Sequence, residues 1–92
     1  MVMVNTMSEK KYKERFQEIG YRIAYCRKHM NMTQEQFAEA LGVSRQHIGA
    51  IEARNVDRNV SLDLLFRIAD LCEINASWFL GENNSSPFEE KE

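Results

Sequence analysis

At 92 residues with 43% hydrophobic content, the chain can build one small core and no more, which excludes multi-domain architectures. One proline and four glycines leave few turns, and no apolar/polar alternation or Asn-Gly hairpin signal occurs, so an all-α fold is expected. The net charge of −2 argues against a polyanionic partner, yet residues 10–67 carry eleven Lys/Arg against seven Asp/Glu, and residues 68–92 carry one against six.

A basic body with an acidic end is therefore the field a partner meets. In chain order, residues 1–8 are expected to be disordered, and a helix is expected from Ser8 or Glu9 to about His29. Phe16, Ile19, Ile23, Cys26 and Met30 step by three and four and form its buried stripe. Lys10, Lys11, Lys13, Arg15, Arg22 and Lys28 fall largely off that stripe. Asn31, which tolerates left-handed geometry, is placed to end the helix.

Thr33-x-x-Gln36 is a capping box, so a second helix begins there, with Phe37, Ala38 and Leu41 inward and Gly42 as terminator. Ser44 caps a third helix, with Ile48 and Ile51 inward. Gly42, Val43 and Ser44 alone separate the two, which fits a helix-turn-helix. After the polar loop "NVDRNV", Ser61 caps a fourth helix whose inward set is Leu62, Leu65, Ile68, Ala69 and Cys72. A short fifth helix follows at about 76–80, stopped by Gly81. The expected organisation is a disordered 1–8, a domain at 9–81 and an acidic, disordered tail at 82–92.

Cys26 and Cys72 lie at apolar helical positions with no ligand neighbours, so they read as buried free thiols. No apolar run approaches the roughly 18 residues of a membrane span, and the N-terminal MVMVNTMSEKK is too short and polar for a signal peptide. A soluble protein of the cytoplasm is expected. No nucleophile–base pair, Gly-rich phosphate loop or carboxylate cleft is found, so neither catalysis nor a cofactor is expected.

The stretch from Ile19 to Gly81 resembles the phage-repressor and Cro-like helix-turn-helix family, the XRE family. The resemblance rests on "RIAYCRKHMNMTQEQFAEALGVS", "IGAIEARN" and "SLDLLFRIADLCEINASWFLG". It implies a five-helix repressor-like domain that binds double-stranded DNA, with the helix after Ser44 in the major groove. It further implies that Gln34 contacts phosphate and that Arg27 and Glu52 form a structural ion pair between the first and third helices. Family dimers often form near the fifth helix, which makes Leu71, Trp78 and Leu80 interface candidates for a homodimer.

Within that frame, Arg45 and Gln46 can pair bidentately with guanine and adenine. Gly49 and Ala50 either permit close approach to a base edge or mark weak discrimination. Ser44, His47, Arg54, Asn55 and Arg58 join Gln34 as phosphate candidates flanking the corner. His47 has no second ligand at metal spacing. The expected function is a small transcriptional regulator, a repressor before an activator, acting on a partly palindromic operator without a small-molecule effector. The rival is a protein-interaction module, antitoxin-like or scaffold, suggested by the small Gly49–Ala50 face, the acidic tail and the surplus aromatics.

Overall fold

A computed structural model of the chain describes residues 2–53, 60–81 and 87–88. Five helices occur among them: α1 (Val2–His29), α2 (Gln34–Leu41), α3 (Arg45–Glu52), α4 (Leu62–Cys72) and α5 (Ala76–Phe79). The start of α1 differs from the expected Ser8 or Glu9. Residues 2–11 hold neither proline nor glycine, so nothing in them stops a helix nucleated by its buried C-terminal half.

The caps are local chemistry. Thr33 Oγ1 accepts from the Gln36 backbone N–H at 3.0 Å, and Gln36 Oε1 accepts from the Thr33 N–H at 2.9 Å. Asn31 (φ 60) and Gly42 (φ 75) take the left-handed conformation that ends α1 and α2. At the end of α2, Arg67 also donates to the Leu41 carbonyl at 2.6 Å, capping it from α4. Ser44 and Ser61 accept from the amides of His47 and Leu64 and so start α3 and α4.

The core gathers Ile23 and Cys26 of α1, Phe37 and Leu41 of α2, Ile48 and Ile51 of α3, Leu65 and Ile68 of α4, and Phe79 of α5. Leu62 departs from expectation: it is 64% exposed, and Leu64 is buried instead. Leu62 stands in the first turn at the margin of the α4 stripe, whereas Leu64 turns towards the interior. Cys26 and Cys72 are both buried and free. A hydrogen bond to Cys72, reinforced by burial, pushes the Cys26 thiol up; the same bond lowers Cys72.

Close contacts fasten α1 to α3 and α5. Gly20 lies against the backbone of Ile51, so closely that a Cβ there would collide with the Ile51 carbonyl oxygen. Arg22, placed off the stripe by its spacing, is in fact buried. Its Nη1 donates to the Trp78 carbonyl at 2.8 Å, and its guanidinium lies 4.7 Å from the Trp78 ring centre. Glu18 balances that charge one turn earlier, at 2.9 Å.

Trp78 is corrected by the same geometry. At 8% exposure it fills the core under Arg22 and Tyr25, so it offers no free face to a second chain. Leu71 is half-buried against the core, and Leu80 is 43% exposed. The acidic tail also has an anchored point. Phe88 is half-buried and stacks on His29 at 3.5 Å between ring centres, with Tyr25 at 5.9 Å. Apart from Pro87 and Phe88, the tail at 82–92 lies outside the described residues.

Candidate nucleic-acid interface

Helix α3 is eight residues long and has two faces. Ile48 and Ile51 are buried, and the opposite side carries Arg45, Gln46, Gly49 and Ala50, related pairwise at i and i+4. Arg45 and Gln46 are exposed, while Gly49 and Ala50 are half-buried. The N-terminus of α3 and that of α2 open towards solvent, with Ser44 exposed and His47 half-buried beside them. Ser44 Oγ is occupied as an acceptor by the helix cap, which leaves its hydroxyl proton for an outside acceptor. Arg54, Asn55 and Arg58 lie outside the described residues.

A chain of hydrogen bonds runs beneath this face. Arg27 Nε and Nη2 pair bidentately with Glu52 at 2.8 and 3.0 Å, and Arg27 Nη1 donates to the Met32 carbonyl at 2.7 Å. The Arg27 and Glu52 side chains retain only 10% and 6% of their exposure, so the pair is interior structure. Gln34 Nε2 donates to Glu52 Oε1 at 3.0 Å, and Gln34 Oε1 accepts from Arg45 Nη1 at 2.6 Å. The exposed guanidinium of Arg45 is thus held through Gln34 to the buried pair. Gln34, the expected phosphate contact, orients the arginine eleven residues later. Sequence spacing carries no signal for that contact, which exists because the short turn brings the starts of α2 and α3 together.

The fold does not require glycine at 49. A Cβ there would meet Gln34 Oε1 at 3.6 Å, an ordinary contact, so an alanine would fit. Gly49 borders a recess of about 370 Å³ between α3 and α1. Tyr21, Ala24 and Lys28 of α1 line it, with Gln34, Gly49 and Ala53.

Among the described residues no group of three or more His, Cys, Asp or Glu side chains could hold a metal ion. No helix there is long and apolar enough to cross a membrane. The arrangement is that of an exposed arginine and glutamine at the start of a helix packed rigidly on two others. It can place planar hydrogen-bonding groups against base edges while flanking helix starts meet phosphates.

No curated protein matches the chain. A family model described as helix-turn-helix matches residues 23–79, from the buried part of α1 to the end of α5. Because that match spans α2, α3 and the turn between them within an all-helical fold, the chain belongs to the helix-turn-helix family of the phage-repressor and Cro-like type, and its business is sequence-specific DNA binding.

Proposed function

We propose that this protein is a small cytoplasmic transcriptional regulator, a repressor before an activator. It acts as a homodimer on a partly palindromic operator, by occupying DNA and without catalysis. The observation that carries the reading is Arg45, exposed at the first position of α3 and oriented through Gln34. Two-fold symmetry sets two such helices about 34 Å apart, one turn of duplex. A regulator of this kind represses most simply by excluding polymerase.

Arg45→Ala tests the reading. With sites first selected from a random duplex library, the variant should lose about 1–3 kcal/mol of discrimination between selected and random DNA at matched salt. A ratio that does not move would show that α3 is not the reader.

The dimer has a physical candidate in Leu80. It borders an apolar groove of about 240 Å³ formed with Tyr12, Phe16 and Ile19 of α1. Leu80→Glu should shift sedimenting dimer to monomer with helix content kept. A parent chain that stays monomeric at high concentration, with and without duplex, ends the homodimer.

One observation favours protein contact as a second reading. Leu62 and Phe66, one turn apart on α4, are 64% and 54% exposed, which is a surface a protein partner would cover. Absence of any salt-dependent binding to duplex DNA would move that reading ahead.

A further inference from the structure

We propose that Phe88, seated on Tyr25 and His29, anchors an autoinhibitory strap. It holds acidic residues of the C-terminal segment beside the DNA-binding face and lowers affinity for duplex. The inference rests on the duplex-binding reading and adds regulation to it. Tyr25 and His29 stand one turn apart on α1, and Tyr25 leans on Trp78 of α5 at 6.0 Å between ring centres. Phe88 completes the group, stacked on His29 at 3.5 Å and tilted against Tyr25 at 5.9 Å. It is half-buried at the margin of the core, although the sequence around it is polar and acidic.

The place of this seat gives it a consequence. It lies on the last turn of α1, where Arg27, Lys28 and His29 follow one another. Glu52 neutralises Arg27 in the interior, whereas Lys28 is exposed. Lys28 borders the recess shared with Gln34 and Gly49, and Gln34 holds Arg45 at the start of α3. The residues after Phe88 are Glu-Glu-Lys-Glu. Consecutive Cα atoms lie about 3.8 Å apart, so chain connectivity alone keeps Glu89 and Glu90 at this end of α1 while Phe88 occupies its seat. Negative charge there attracts Lys28 and repels a phosphate backbone approaching α3, over a screening length of about 8 Å. Phe88 supplies the hold and the glutamates supply the field. Seating of Phe88 and binding of duplex therefore oppose one another, each weakening the other by the same factor.

The test uses the full chain and titrates a selected and a random duplex at several salt concentrations, below the melting range of every variant. Phe88→Ala changes no charge, yet it should raise affinity for both duplexes by about three- to tenfold at low salt, the scale of two exposed charges. The gain should fade at high salt. Glu89→Gln combined with Glu90→Gln should give the same gain with Phe88 still seated. The seat is read from the NMR signals of the His29 imidazole, which the stacked ring shifts in the parent and in the glutamine variant but not in Phe88→Ala. Unchanged or weakened binding by Phe88→Ala overturns the strap, and so does a gain that the glutamine variant does not share. Identical His29 signals in the parent and Phe88→Ala overturn the seat. A parent dimer that Phe88→Ala converts to monomer assigns the seat to the tail of a second copy and overturns the strap within one chain. A parent that binds neither duplex overturns both the strap and the function on which it rests. If the strap alone fails, Arg45→Ala still compresses the specific-to-random ratio and the reading of α3 stands.

Discussion

Gly20→Ala should destabilise the protein by about 3 kcal/mol, the upper part of the range for an overpacked core. One methyl group is enough because the obstacle is the Ile51 carbonyl, a backbone atom of α3 that no rotamer change can move aside. To admit it, α1 and α3 must separate, and Ile23, Ile48 and Ile51 lose part of their contact. For a domain of this size the midpoint of thermal unfolding should fall by about 12–24 °C. The prediction opposes helix propensity, by which alanine is better than glycine by about 1 kcal/mol. A variant that melts at or above the parent temperature would show that the two helices are not in such contact.

Glu52→Ala should cost a similar amount, about 3 kcal/mol, by leaving the Arg27 guanidinium in the interior with only the Met32 carbonyl as partner. Glu52→Gln, which keeps an acceptor for one of the two bonds, should cost less. Thermal melts of the two variants beside the parent decide it, and equal midpoints for all three would mean the pair contributes nothing. A second effect follows from the hydrogen-bond chain. Without the carboxylate, Gln34 loses its anchor and holds Arg45 less firmly, so Glu52→Ala should also narrow the preference for selected DNA, measured below the melting range.

The caps and the corner were legible because they are local. Thr33 with Gln36, and Ser44 with the amide of His47, are decided within four residues, and Gly42 needs only its own freedom of φ. The inward faces of α2 and α3 follow from helical period alone. What could not be read are contacts between residues far apart in sequence. Arg22 bonds a carbonyl 56 positions away, and Arg67 one 26 positions away. By composition both are surface cations. From sequence Trp78 is surplus aromatic area; in the fold Arg22 and Tyr25 surround it. Gly20 did leave a trace: a glycine within a long helical pattern is costly and calls for a reason, though which neighbour supplies the reason is a tertiary matter. On the interface, the residue types at positions 34, 45 and 46 were apparent, but the bond between Gln34 and Arg45 was not.

The division of α3 into a bonded side and a bare side has a consequence for descent and for engineering. Its packing hangs on Ile48, Ile51, Glu52 and the backbone beside Gly20, whereas Arg45 and Gln46 are exposed and Ala50 is half-buried. Surface replacements away from buried networks change stability by less than about 0.5 kcal/mol. Mutation can thus rewrite Gln46 while the scaffold is inherited intact, and a library varied at that position starts from folded proteins. Arg45 is less free, because any successor must either take up the bond to Gln34 or leave that amide to water. On the proposed reading of α3, new operators should be reached by changes at 46 first, with 45 following only when a compatible partner arises at 34.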